Sequence, residues 1–494
     1  MFKKVLSYSV GLYTAALVMS GMRIVVKSLI AKTLPKEALG SYAYFNTVLL
    51  LGGAILAFGL KRTLAKEVAA RKEERLFSPL VTAVLTFFVI ASIILSITAW
   101  VFNQKLDWIF VMILVAVGPA TIFELATSTL RGQFDQKREV SALLIAAVLQ
   151  AVCILVLIQL TRSYKAPVWG MTITYILLAM GVLLYFGRRY SAEWKPRQIS
   201  GFYQSGAFRS LIMLAAPLWT VDILSILSNQ TDQLIIRNQL GYSALAEYAA
   251  AFTFIGLMDQ PMTILSRVFL VTFAGGFYNE YNHYRQVTSL NLAFFSILSF
   301  GVIAISRPLT PILFTSEYQM VPLLVMILSI TNIISSIEVV DSSLTIAVDY
   351  PQANRNAKFW TTLIYIPSAI LLVSRFGVYG AAWSNVGSWL AYALLHAFYM
   401  RRRLPEHSAL AMRNFLISTT LYTSTIFAIW YFKSSWLILA AVPVYLLLGQ
   451  ALKLWDLRQL PQLARRLMPE RLALSYAKET QNAQIEDQDP KIQN

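Results

Sequence analysis

Long apolar stretches separated by short polar ones set the pattern of this chain. Seven run from Val5 to Ile30, Gly40 to Leu60, Leu80 to Phe102, Ile109 to Leu130, Val140 to Leu160, Pro167 to Phe186 and Leu211 to Ile236. Seven more run from Ala244 to Leu265, Val287 to Ile305, Val321 to Val340, Phe359 to Val373, Val378 to Phe398, Phe415 to Phe432 and Trp436 to Leu452. Most come near the roughly 20 residues a helix needs to cross about 30 Å of hydrocarbon. Strands of a membrane barrel would be about half as long and would alternate in polarity, so the pattern predicts helices. The expected fold is an all-α integral membrane protein with about fourteen transmembrane helices.

A phrase recurs within this pattern. Leu34-Pro35, Ala38-Leu39 and Tyr42 return as Leu240-Gly241, Ala244-Leu245 and Tyr248, and Val168-Trp169-Gly170 is answered by Val378-Tyr379-Gly380. The repeat predicts two six-helix lobes. An even number of spans per unit brings both copies into the membrane from one face, so the pseudo-twofold axis runs along the membrane normal. The expected divisions are a first lobe over 1–190, a linker over 191–210, a second lobe over 211–400, helices 13 and 14 over 401–453, and a tail over 454–494. The tail begins with an amphipathic stretch suited to a membrane surface.

Composition and charge sharpen this picture. Only 14% of the 494 residues are charged and 57% are hydrophobic, whereas about a quarter of a soluble domain is charged. The formal charge of +17 is distributed by topology: with both termini and the loops after even-numbered spans on one side, that side holds 31 of the 42 basic residues. Cytoplasmic loops carry such an excess, so both termini are expected inside. The basic groups stand at span ends, where they face lipid head groups rather than nucleic acid. Cys153 lies alone within a span, and the three histidines have no metal-ligand spacing. His396 reads as a hydrogen-bonded packing residue, with proton binding as the alternative.

Several short motifs resemble one family. They are Leu34, Gly40 and Tyr42; Leu130-Arg131-Gly132 with Lys137; Asp232, Leu234, Leu240, Gly241 and Tyr248; Leu313-Phe314 with Glu317-Tyr318; and Gly377-Val378-Tyr379-Gly380-Ala381-Ala382. Their order and spacing resemble the bacterial polysaccharide flippases of the multidrug/oligosaccharidyl-lipid/polysaccharide exporter superfamily. The resemblance implies two lobes about a central cavity lined by the first and seventh spans. It also implies movement of an undecaprenyl-diphosphate-linked oligosaccharide from the cytoplasmic to the periplasmic leaflet of the bacterial inner membrane. Expected partners are that lipid-linked oligosaccharide, membrane lipids, and polysaccharide polymerase and chain-length proteins. Tyr350-Pro351-Gln352 departs from Arg131-Gly132-Gln133 at the matching place in the first half.

Charge inside the membrane is the candidate chemistry, because Arg or Lys at mid-bilayer costs about 2.5–3.5 kcal/mol on insertion scales. Arg23 and Lys27 share one face of the first span and form a cationic stripe for a lipid diphosphate or acidic sugar. Asp222, Asn229 and Asp232 on span seven complete the expected substrate site. At the repeat offset Asn229 answers Arg23, and the counterpart of Lys27 falls one place from Asp232, so a Lys27–Asp232 pair is expected across the cavity mouth. Glu124, Asp259 and Arg131 are the expected coupling or gating residues. Glu124 shares a predicted polar track with Thr127, Ser128 and Arg131, and a carboxylate here would bind the H⁺ or Na⁺ of an exchange cycle. Asp341, near one membrane surface, reads as solvated. No metal, cofactor or catalytic residue is expected, and the short loops disfavour an enzyme. The alternatives are an ion-coupled multidrug antiporter, a peptidoglycan-precursor flippase, and a membrane-embedded polysaccharide polymerase or ligase.

Overall fold

A computed structural model describes residues 2–61, 77–102, 104–133, 135–189, 206–258, 281–432 and 437–455, with a few positions between 63 and 68 and between 261 and 273. The inter-lobe linker expected over 191–210 and the tail lie largely outside the described residues, and Asp259 lies wholly outside them.

Among the described residues the chain is helical. The first six helices are α1 (Phe2–Thr33), α2 (Lys36–Ala57), α3 (Phe77–Val101), α4 (Trp108–Gly132), α5 (Gln136–Thr161) and α6 (Ala166–Arg189). They are followed by α7 (Gly206–Leu240), α8 (Tyr242–Ile255), α9 (Tyr281–Leu313), α10 (Val321–Ala347), α11 (Gln352–Met400), α12 (Pro405–Phe432) and α13 (Leu437–Ala451). Nine described helices are long and apolar enough to cross a membrane. The eleventh and twelfth expected spans are the two arms of α11, bent at Gly377 with φ 61° and ψ −140°. Only glycine enters that backbone region without strain, which gives the Gly377-Val378 motif a mechanical reason.

Exposure follows lipid rather than water. Ile90, Ile93, Ile94 and Ile97 of α3 and Ile145, Val148, Val152 and Val156 of α5 form exposed apolar stripes at helical spacing. By contrast, α10 is buried along most of its length. Buried hydroxyls turn back on their own helices: Thr121 donates to the Val117 carbonyl at 2.7 Å and Thr174 to Gly170 at 2.7 Å. Without water nearby, polar groups must find such internal partners. This is a multi-pass membrane protein.

The repeat is visible in the packing. In the first lobe α1 packs on α5, α2 and α3 on α4, and α4 on α6. In the second lobe α7 packs on α11, α8 and α9 on α10, and α10 on α11. The bond between Ser228 and Thr362, 2.6 Å, joins α7 to the first arm of α11, as α1 meets α5. The lobes meet chiefly where α2 packs on α7 and α8. Alanines 246, 249 and 250 of α8 are buried there, and small residues let membrane helices approach closely.

Candidate functional site

A cavity of about 540 Å³ opens among α1, α2, α4, α5 and α6, with the edges of α7 and α8 closing its second-lobe side. Arg23 and Lys27 both line it, because residues four apart share a helix face. The remaining polar lining includes Asn46, Thr47, Gln150, Thr174, Gln230, Gln233 and Thr253, interleaved with Tyr42, Phe123, Tyr175 and Phe252. Amides and hydroxyls beside aromatic faces suit a polyhydroxylated ligand, and the two cations suit an anionic one. Lys27 reaches across to the second lobe, donating to the Thr253 hydroxyl at 3.1 Å and the Ala249 carbonyl at 3.4 Å. Among the described residues no carboxylate comes within ion-pair distance of Arg23 or Lys27. Glu124 also lines the cavity, but Lys61 pairs with its carboxylate.

The expected Lys27–Asp232 pair is not formed. Asp232 is fully buried within the second lobe, where the Tyr248 hydroxyl, the Asn385 amide at 3.1 Å and the Gln233 N–H at 2.8 Å all donate to it. The reason is helical phase. The repeat counterpart of Lys27 is Gln233, which does line the cavity; its neighbour Asp232 is turned about 100° around the helix. Tyr248, the last residue of the repeated phrase, takes up the carboxylate. Asn229 is exposed and Asp222 partly buried, and neither is among the cavity-lining residues. Arg131 turns away from Glu124 and binds the fully buried Glu139, with Nε at 2.9 Å and Nη2 at 2.8 Å. Thr127 and Ser128 donate to the Glu124 backbone carbonyl, at 2.9 and 2.8 Å, and so do not extend a track from its carboxylate. Asp341 is buried rather than solvated, accepting from the Tyr284 hydroxyl at 2.5 Å.

The lobes are tied together at the face that carries the α1–α2 turn. Lys36, directly after that turn, binds Glu247 of α8 at 2.5 Å and the Glu317 carbonyl at 3.1 Å. The other Glu247 oxygen accepts the Met320 N–H at 2.9 Å, placing negative charge at the N-terminus of α10. The Lys36 ammonium also lies 5.2 Å from the centre of the buried Tyr318 ring. Burial, with Glu317, Glu247 and Glu37 nearby, pushes the Tyr318 phenol above its ordinary range, so the ring stays neutral. A second tie joins Arg237 of α7 to Asp107 before α4 at 3.1 Å, with Arg237 over the rings of Tyr44 and Tyr242. Gly40 completes the seal, since any Cβ there would collide with the Tyr242 carbonyl. Sequence reasoning missed this constellation, although Lys36 and Glu247 both stand inside the repeated phrase.

Residues 29–322 match the family model described as polysaccharide biosynthesis protein, and the chain belongs to that family. Its fold is similar to those of a solved flippase and of solved multidrug transporters. The lipid II flippase MurJ in an inward closed conformation is similar over 90% of this chain and 96% of its own, with TM-score 0.65 and 14% identity. An inward-facing multidrug resistance transporter of the MATE family is similar over 78% of this chain and 94% of its own, with TM-score 0.60 and 14% identity. A MOP superfamily transporter from Pyrococcus furiosus is similar over 81% and 95%, with TM-score 0.54 and 12% identity. No curated protein matches the chain.

Proposed function

We propose that this protein carries a polyprenyl-diphosphate-linked oligosaccharide across the bacterial inner membrane by alternating access, for cell-surface polysaccharide synthesis. The observation that carries the reading is the pair Arg23 and Lys27 in a wall whose other polar groups are amides, hydroxyls and the Lys61-paired carboxylate of Glu124. Arg23 offers a diphosphate a bidentate partner, and Lys27 adds a point charge one turn away. Asn46, Gln150, Gln230 and Gln233 offer donors and acceptors to sugar hydroxyls. The polyprenyl chain stays in lipid while the head group crosses through the cavity. Membership of a polysaccharide biosynthesis family supports this cargo over a cationic drug.

Both termini lie in the cytoplasm in this reading, so the tied α1–α2 face is periplasmic. Lys36–Glu247 and Arg237–Asp107 then form the gate that breaks when cargo leaves. The protein acts as a transporter and makes or breaks no covalent bond, and the polymerase receives what it delivers. A deletion strain tests the reading directly. It should accumulate the lipid-linked oligosaccharide on the inner leaflet, and the wild-type gene should clear it. Normal delivery to the outer leaflet in the deletion strain refutes the proposed cargo.

A further inference from the structure

Outside the cargo cavity, the second lobe buries a group of ionisable side chains. Glu338 and Asp341 lie three residues apart on α10, and His396 lies on the second arm of α11; all three are buried. His396 Nδ1 stands 2.8 Å from Glu338 Oε2, and Nε2 stands 3.4 Å from the Thr345 hydroxyl. Tyr284 of α9 donates to Asp341. The second oxygen of Glu338, Oε1, is buried with no donor within 3.5 Å, and the Tyr392 hydroxyl approaches this carboxylate. Tyr392 stacks parallel to the imidazole, centroids 6.0 Å apart, and the partly exposed Lys358 lies 4.9 Å from the Tyr392 ring centre. His407 borders the group through Tyr284, ring centres 4.8 Å apart.

A purely structural ion pair would satisfy its carboxylate. Here one oxygen is left over, and a second carboxylate sits on the same face of α10, since residues three apart are neighbours on a helix. Two buried like charges disfavour each other; the Lys358 ammonium acts on Glu338 from the first arm of α11, and the imidazole adds a second compensating charge while it carries a second proton. Such groups titrate as a unit, gaining or losing one proton between them. An imidazole bonded to one carboxylate and close to another can take up a proton with no further ligand, so a proton is the ligand that this group fits. The same helix ties this group to the gate: α10 starts at the Met320 N–H held by Glu247, about 27 Å along its axis from Glu338.

We propose that Glu338, His396 and Asp341 form a proton-binding site in the second lobe, and that its proton couples transport to a proton gradient. The coupling rests on the transport reading above; the proton binding does not. Binding moves one proton from water onto the His396–Glu338 pair and changes no other bond.

The chain has three histidines, His283, His396 and His407, so NMR of the full-length protein in bilayers with isotope-labelled histidine can follow each ring. Between about pH 5 and pH 8, where imidazoles change charge, one signal should change protonation state and be missing in His396→Gln. In Glu338→Gln, which keeps an acceptor but no charge, His396 should stay neutral throughout. A wild-type His396 that keeps one protonation state across that range overturns the proposal. In cells, a gradient of about one pH unit drives up to about tenfold accumulation per coupled proton. Collapsing it should lower glycan export by the wild type and leave residual export by His396→Gln unchanged. Titration with export indifferent to the gradient overturns the coupling. Absence of glycan export in every strain counts against the cargo and leaves the proton result to decide the site.

Discussion

A guanidinium inside a membrane needs water or an anion, and Arg23 is exposed in a cavity with room for either. Replacing it removes a charge-assisted contact worth about 1.5–3 kcal/mol, so Arg23→Ala should lower export by roughly tenfold or more. Arg23→Lys should retain part of the activity, because it keeps the charge but not the fork. Surface glycan measured at matched protein levels checks both, and undiminished export by Arg23→Ala would remove the residue from the site. Which charged residues reach the cavity was only half legible in the sequence. A four-residue spacing places Arg23 and Lys27 together whatever surrounds them. By contrast, Asp232 looks equivalent to its neighbour Gln233 until Tyr248 and Asn385 are seen to claim it.

At the scale of elements, two short segments decide how helices join. The bend of α11 at Gly377 keeps the two arms continuous where the first lobe has α5, a turn and α6. Gly377→Ala places a Cβ in a backbone region reserved for glycine and should cost about 1–3 kcal/mol. Thermal unfolding in detergent should show the loss, and an unchanged midpoint would mean the bend relaxes. The other segment is the start of α8. Because Glu247 both binds Lys36 and receives the N-terminus of α10, Glu247→Gln should loosen the tied face more than Lys36→Ala does. With Cys153 replaced by Ser and a cysteine placed at Gln233, labelling from the α1–α2 side should rise in the order wild type, Lys36→Ala, Glu247→Gln. Equal labelling of all three would mean the tie does not seal the cavity.

At the scale of the whole molecule, the lobes are held together across α2 and α8. If the lobes must part there, joining them covalently stops transport. Cysteines at Lys36 and Glu247, bridged by a short cleavable thiol cross-linker in the Cys153→Ser background, should abolish export, and cleavage should restore it. Export that continues while bridged would require a route that leaves this face closed.

Span count, lobe repeat and membrane class were decided by the sequence alone. They depend on local quantities: the length of apolar runs against bilayer thickness, and the recurrence of a phrase at a constant offset. The proximity of Arg23 and Lys27 was decided the same way, by helical periodicity within one element. Only the tertiary structure could place Lys36 against Glu247, Arg237 against Asp107 and His396 against Glu338. Such pairs depend on the rotation of each helix about its own axis, and a shift of one residue turns a side chain about 100° away.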